Sequence, residues 1–347
     1  MKLTKKVTVG SVEIGGGAPI SVQSMTNTRT SDIAATVEQI NALKNAGADI
    51  VRLAVVDDND IAACKKILKS VTVPLVADIQ FDWKIASKCS EIGFGKVRFN
   101  PGNVGSDANV SKLAEICKAN RTPIRVGANW GSLSKDILEK YGRTATALCE
   151  SALRHVALLE KFGFYDIVIS VKASDVNTCI DAYRLISSKC DYPLHLGVTE
   201  SGAKNAGIVK SAIGIGTLLS ECIGDTVRVS LTGDPVHEVE IANEILKALK
   251  KKEGCEIISC PTCSRCSINL EEIRDEVEKM LAGIKKSLKV AVMGCVVNGP
   301  GEAADADFGV AGGNGKSVIF KRGKVLKTVE NSKIIEELKQ LIDEFTK

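Results

Sequence analysis

The chain has 347 residues, 44% apolar and 25% charged, with 46 basic and 42 acidic side chains and a formal net charge of +4. That composition excludes a disordered, collagen-like or low-complexity chain. No apolar stretch approaches the roughly 20 residues of a membrane span, and no Lys/Arg run is long enough to form a nucleic-acid stripe. The basic start MKLTKKVTVG has no apolar run behind it, so it does not read as a signal peptide, and a cytoplasmic protein is expected. The unusual count is cysteine: twelve, beside three histidines. Without export these are expected as thiols or metal ligands rather than disulfides.

Residues 7–14 (VTVGSVEI) alternate around Gly10-Ser11 and read as a hairpin able to plug one end of a barrel. From residue 20 to 251, aliphatic runs alternate with amphipathic ones. Strands are expected near 20–25, 49–55, 74–79, 96–100, 123–128, 166–172, 193–198 and 226–231. Helices are expected near 31–47, 58–69, 82–92, 109–120, 146–163, 176–190, 205–222 and 237–251. Ser31-Asp32 and Asp57-Asp58 stand where they can cap, and Gly47 is a stop signal. Eight strand–helix pairs are the count of a (β/α)8 TIM barrel, with a doubly wound open sheet as the competing architecture. Lys251-Lys252-Glu253-Gly254 marks a boundary, giving a barrel over 1–251 and a small α+β domain over 252–347. The second domain reads as strand 255–260, cysteine turn, helix 269–286, strand 289–294, Gly-rich loop, hairpin around Lys321–Lys324 and final helix 332–346.

Four barrel strands carry an arginine between apolar residues: Arg52, Arg98, Arg125 and Arg228. A fifth carries Lys172. Barrel strands are covered on both faces, so these groups must point into the lumen or toward its C-terminal mouth. One reading pairs each with a buried acid such as Asp78 or Glu200. The other has them converge on a strongly anionic substrate, for which bidentate Arg–phosphate geometry suits a diphosphate. Asn100, Asn129, Ser174, His195, Thr199 and Ser230 lie at the same strand ends and can orient other substrate groups. Lys204 follows the seventh strand, a common barrel phosphate position. Gly214-Ile215-Gly216 reads as helix packing.

Cys260-x-x-Cys263 directly follows a strand, and Cys295 stands in a Gly-rich stretch. This spacing suits zinc or an iron–sulfur cluster; zinc would favour a further Cys-x-x-Cys or His-x-x-Cys at Cys295, which has no such neighbour, so the cluster is favoured. The fourth ligand is open: Cys266 gives an all-cysteine site, Glu302 a displaceable one. Cys64, Cys89, Cys117, Cys149, Cys179, Cys190 and Cys222 read as small core hydrophobes.

CPTCSR (260–265) and MGCVVNGPGEA (293–303) resemble the two signatures of the 4-hydroxy-3-methylbut-2-en-1-yl diphosphate synthase family, of the non-mevalonate isoprenoid pathway. GAPISVQSMTNTRTSD (17–32), VRFNPGNVG (97–105), SVKASDV (170–176), PLHLGVTE (193–200) and VKSAIGIGTLLSE (209–221) resemble it too. The resemblance implies a TIM barrel with a [4Fe-4S] domain of the compact bacterial type. Its cluster ligands fall on Cys260, Cys263, Cys295 and Glu302. It implies 2-C-methyl-D-erythritol 2,4-cyclodiphosphate as substrate, ferredoxin or flavodoxin as electron donor, and a homodimer in which one chain's cluster domain covers the other's barrel mouth.

On that basis Arg52, Arg98, Arg125, Lys172, Lys204 and Arg228 hold the diphosphate, and Asn129 and Ser230 orient it. Asn100 and His195 are further substrate contacts, and Asn298 in the cluster loop faces the substrate. A substrate oxygen displaces Glu302. Glu200, then Asp78, is the acid that protonates the leaving hydroxyl. Two departures stand out: Gln80 where the family commonly has His, and the extra thiol of Cys266. Competing readings are a non-catalytic electron-transfer or sensing protein with an all-cysteine cluster, and a zinc-stapled barrel lyase with Lys172 as a Schiff-base lysine.

Overall fold

The computed structural model describes residues 3–100, 106–200, 202, 204–284, 286–297, 301 and 303–346, with the backbone alone at Lys204. The chain divides into two compact units, Met1–Lys252 and Glu253–Lys347.

The first unit begins with an antiparallel hairpin, β1 (Val7–Val9) and β2 (Val12–Ile14). Eight parallel strands follow: β3 (Ser21–Met25), β4 (Ile50–Ala54), β5 (Leu75–Asp78), β6 (Lys96–Arg98), β7 (Ile124–Ala128), β8 (Ile167–Val171), β9 (His195–Leu196) and β10 (Thr226–Val227). Their spatial order is β8-β7-β6-β5-β4-β3-β10-β9. A parallel bridge from Ile169 to Leu194 joins the two ends of that order. The sheet therefore closes as the expected (β/α)8 TIM barrel, and the open doubly wound sheet is set aside.

Local chemistry explains the alternation. The Asp32 carboxylate caps α1 (Ile33–Asn45) by accepting from the Ala35 N–H at 3.2 Å. Asp57 does the same for α2 (Asp58–Ser70) through the Asp60 N–H at 3.0 Å. Gly47 ends the first helix at φ +100°, a region glycine enters without strain. The ring continues with α3 (Trp83–Glu91), α4 (Asp107–Ala119), α6 (Ala145–Lys161), α7 (Val176–Lys189), α8 (Lys204–Ser220) and α9 (Pro235–Ala248). A short helix that the sequence pattern did not suggest, α5 (Lys135–Tyr141), lies between β7 and α6. Gly214 on α8 packs closely, since a Cβ there would stand 2.8 Å from Val198 Cγ2.

Strand residues divide by parity. Val22, Val51, Leu53, Ala77, Val97, Val126, Ile169, Leu196 and Val227 belong to the large apolar core. Their neighbours Gln23, Arg52, Asp78, Lys96, Arg98, Arg125, Ser170, His195 and Arg228 alternate with them and point inward. Below these, Val9 and Ile14 of the hairpin pack on Ile50 and Val76, forming an apolar floor at the N-terminal end.

The second unit is a five-stranded sheet in the order β11 (Cys255–Ser259), β12 (Leu288–Met293), β13 (Phe308–Ala311), β14 (Lys316–Lys321), β15 (Lys324–Glu330). The first three strands are parallel and the last three antiparallel. Helix α10 (Leu270–Leu281) and the final helix Ile334–Thr346 share one apolar core with the sheet, including Val277, Val290, Val310 and Leu338. Among the described residues no helix is long and apolar enough to cross a membrane.

Cys64, Cys89, Cys117, Cys149 and Cys179 are buried. Burial pushes the thiols of Cys64 and Cys117 up to about 12, so they are inert at neutral pH. Cys222 departs from the core expectation: it is exposed, at φ +59° just after α8.

Candidate active site

A cavity of about 260 Å³ opens at the C-terminal ends of the barrel strands. Its wall carries Arg52, Arg98, Arg125, Lys172 and Arg228 with Asp78, Glu200 and Glu238, and also Asn129, Ser170, Thr199 and Ser230. Five basic side chains thus share one small space with three acids.

Three of the arginines pair with largely buried acids. Asp78 binds Arg98 Nη1 at 3.2 Å and stands 3.8 Å from Arg52 Nε. Arg228 is held by Glu238, which accepts from Nη2 at 3.3 Å and from Nε at 3.4 Å. The same carboxylate accepts from Ser24 Oγ and from the Leu231 N–H. Arg52 also donates to the Met25 sulfur at 2.8 and 3.0 Å. Arg125 donates only to Ser170 Oγ, at 2.9 Å, while its Nε and Nη2 are buried with no partner among the described residues. No ion pair to a described carboxylate holds Arg125 or Lys172.

Burial, followed by the charge of Arg228, brings the Arg52 guanidinium down to about 9, and Asp78 opposes the shift. Burial and the charges of Arg52 and Arg98 push Arg125 well down. Burial, then Arg125 and Arg228, does the same to Lys172. Such a wall gains stability when an anion enters.

Burial alone would raise the Asp78 carboxyl, but Arg52, Arg98, Arg125 and Arg228 outweigh it and hold the group below its ordinary value. Asp78 is therefore a fixed carboxylate that spaces two arginines. Glu200 is exposed on the cavity rim, at φ +50°. That strained backbone aims a carboxyl at the mouth.

His195 and Asn100 are buried, at 0% and 2% exposure, and neither belongs to the cavity wall. The side chain of Lys204, and all of Asn298 and Glu302, lie outside the described residues. Glu238 and Met25 were missed because α9 and the outer end of β3 carry no charge pattern that points to them. Gly197 was missed as well. A Cβ there would stand 2.6 Å from Lys172 Nζ and 2.5 Å from the Arg228 carbonyl, so only glycine lets the lysine cross that strand.

In the second unit, Cys260 directly follows β11 and Gly294 and Cys295 directly follow β12, two adjacent parallel strands. The Gly294 N–H donates to Cys260 Sγ at 3.2 Å, and the Ser267 N–H donates to the Gly294 carbonyl at 2.9 Å. Backbone N–H groups that donate to ligand sulfur tune an iron–sulfur site. No three described His, Cys, Asp or Glu side chains already stand at metal-binding distance from one another. The donor set of Cys260, Cys263 and Cys295 nonetheless fits such a cluster in type and in placement on adjoining loops. Cys266 Sγ lies 3.3 Å from the Ile268 carbonyl and beside Gly294, where an added Cβ would stand 2.6 Å from it.

The family model described as the GcpE TIM-barrel domain matches residues 4–243, and that of the GcpE protein C-terminal domain matches 256–344. The chain belongs to the GcpE family. It is 56% identical over its whole length to the 4-hydroxy-3-methylbut-2-en-1-yl diphosphate synthase (flavodoxin) of Caldanaerobacter subterraneus, covering 98% of that protein. It is 54% identical to the enzyme of the same name from Clostridium perfringens, with 99% of each chain covered. Among solved structures, the dihydropteroate synthase of Yersinia pestis aligns with 71% of this chain and 97% of its own at a TM-score of 0.51 and 12% identity. The enzyme of Xanthomonas albilineans with 7,8-dihydropteroate does so with 71% and 97%, at 0.51 and 14%. At such identity these share only the barrel fold with this GcpE member.

Proposed function

We propose that this GcpE-family chain is an oxidoreductase. It converts 2-C-methyl-D-erythritol 2,4-cyclodiphosphate to 4-hydroxy-3-methylbut-2-enyl diphosphate, with flavodoxin or ferredoxin as donor. The observation that carries the reading is the cavity wall, where Arg125 and Lys172 have no described carboxylate partner while Arg52, Arg98 and Arg228 are braced by Asp78 and Glu238. A diphosphate supplies the negative charge this wall lacks.

The reaction opens a ring C–O bond, releases one hydroxyl as water, and takes up two electrons and two protons. Cys260, Cys263 and Cys295, with Glu302, would hold a [4Fe-4S] cluster. When bound, such a cluster supplies the electrons and Lewis acidity. The chain's own barrel residues do the rest. Arg52, Arg98, Arg125, Lys172 and Arg228 grip the diphosphate, joined by Lys204, and Asn129 and Ser230 orient it. Charge that grows on the diphosphate as the ring opens is stabilised by cations already in place. Glu200, at the rim, gives a proton to the departing hydroxyl. Asn298 completes the substrate contacts from the cluster loop. A cytoplasmic homodimer that brings the cluster domain of one copy to the barrel of the other is part of this reading.

The competing electron-transfer or sensing reading leaves the arginine wall without a purpose, and the full-length likeness to named synthases does not support it. Calorimetric titration of the cyclic diphosphate tests the proposal. The unmodified protein should bind it, and Arg125→Met should weaken binding at least tenfold, the loss of one charge-assisted contact of about 1.5–3 kcal/mol. Equal affinity for both proteins would refute the assignment.

A further inference from the structure

Between the apolar floor and the substrate cavity lies a band of buried polar side chains that the reaction above does not use. Gln23 on β3, Lys96 on β6 and His195 on β9 are 1%, 0% and 0% exposed. Their neighbours Val22, Val97 and Leu196 face the outer core, so strand alternation turns all three into the lumen. Register sets their level. Lys96 pairs with Val76 and Gln23 with Ile50, both floor residues, and His195 lies beside Thr226, which lies beside Ser21.

Lys96 Nζ, both ring nitrogens of His195, both amide atoms of Gln23, and the hydroxyls of Ser21 and Thr226 have no hydrogen-bond partner among the described residues. From above, Arg125 adds Nε and Nη2 to the same set. Orphaned buried polar atoms are rare one at a time, and this run needs hydrogen-bond partners that the described side chains do not supply.

The chemistry of the set says which kind. Lys96 and Arg125 bring donors only, and together they exceed the acceptors that Gln23 and one histidine nitrogen offer. The inward acids nearby are already taken, Asp78 by Arg52 and Arg98 and Glu238 by Arg228. Burial and the positive charges of Arg125 and Arg52 push the Lys96 amine well down. Burial followed by Lys172, Arg125 and Lys96 does the same to His195. These groups therefore repel one another across the lumen, and no acid is among the strongest influences on either.

We propose that the middle of the barrel is an internal anion site, distinct from the substrate cavity, in which Lys96, His195, Gln23 and the inner edge of Arg125 hold a small monovalent inorganic anion of the halide class. It would fill whichever substrate the cavity above takes.

Bromide is the probe. The full chain, purified anaerobically in gluconate, is titrated with potassium bromide at constant ionic strength, and its thermal midpoint is followed. The midpoint should rise saturably, by roughly 5 °C once bromide stands about 100-fold above its dissociation constant. Lys96→Met should remove the rise and, in gluconate, unfold at a higher temperature than the unmodified protein, because no uncompensated amine remains buried. Anomalous diffraction from bromide-grown crystals of the unmodified protein should place a peak among Lys96, His195 and Arg125, and this measurement decides alone if the variant does not fold. Bromide found only on the surface with water in the lumen, the absence of a saturable rise, or a folded Lys96→Met protein that keeps the rise would each overturn the proposal.

Discussion

Arg228 and Glu238 meet through one carboxylate oxygen, which accepts from both Nε and Nη2 of the arginine, while the other oxygen holds the Leu231 backbone. The pair is 16% and 5% exposed, so neither charge has water to fall back on. Glu238→Ala should destabilise the barrel by about 3–5 kcal/mol, as expected when one member of a buried pair is removed. Glu238→Gln, which keeps one oxygen as acceptor for either Ser24 or the Leu231 N–H, should cost less. Denaturant unfolding of both variants checks this, and saturating diphosphate should recover more stability in Glu238→Ala than in the unmodified protein.

Asp78 between Arg52 and Arg98 predicts a pH effect. Its folded carboxyl is held below the ordinary value. It therefore contributes stability above the unfolded value, and that contribution disappears as pH falls through the folded value. Asp78→Asn should be less stable at neutral pH, on the order of 3 kcal/mol. The gap should close on acidification below the ordinary carboxylate range. Unfolding midpoints of the two proteins across pH measure it, and a gap that widens toward acid would contradict the assignment.

Gly197 predicts a specific loss of binding. An added Cβ would meet the Arg228 carbonyl at 2.5 Å and Lys172 Nζ at 2.6 Å, and the carbonyl is backbone that does not yield. Gly197→Ala should cost about 1–3 kcal/mol of stability through overpacking. It should raise KM for the diphosphate more than it lowers kcat, because Lys172 is displaced from the wall. Steady-state kinetics with a folded control separate the two.

Cys263 and Cys266 should behave oppositely. Cys266 Sγ is half-buried against the Ile268 carbonyl and beside Gly294, whereas Cys263 is exposed on the loop. Iron and sulfide analysis after anaerobic purification should find Cys266→Ser fully loaded and Cys263→Ser depleted. Loss of iron from Cys266→Ser would place that thiol among the ligands.

The arginine wall was legible because an arginine inside a strand covered on both faces has one direction left, and Arg52, Arg98, Arg125 and Arg228 all took it. Lys172 followed the same logic. What braces the wall was not legible. Glu238 comes from the first turn of a helix, where an acid ordinarily reads as a response to the helix dipole. Lys96 begins its strand, and nothing in the sequence around it signals that it is buried. His195 and Asn100 read as mouth residues, and both are buried. The helix at Lys135–Tyr141 spans 7 residues, too few to repeat an apolar face. The cysteine motifs pointed to a metal by spacing, but only the fold set Cys260 beside the Gly294 N–H.

The most direct test of the central claim is anaerobic turnover. Cluster-loaded protein is mixed with the cyclic diphosphate and a reduced flavodoxin, and product and donor oxidation are quantified together. The account predicts 4-hydroxy-3-methylbut-2-enyl diphosphate with two electrons consumed per molecule formed. Loaded, folded protein that binds the substrate and yields no product under strong reductant would contradict it.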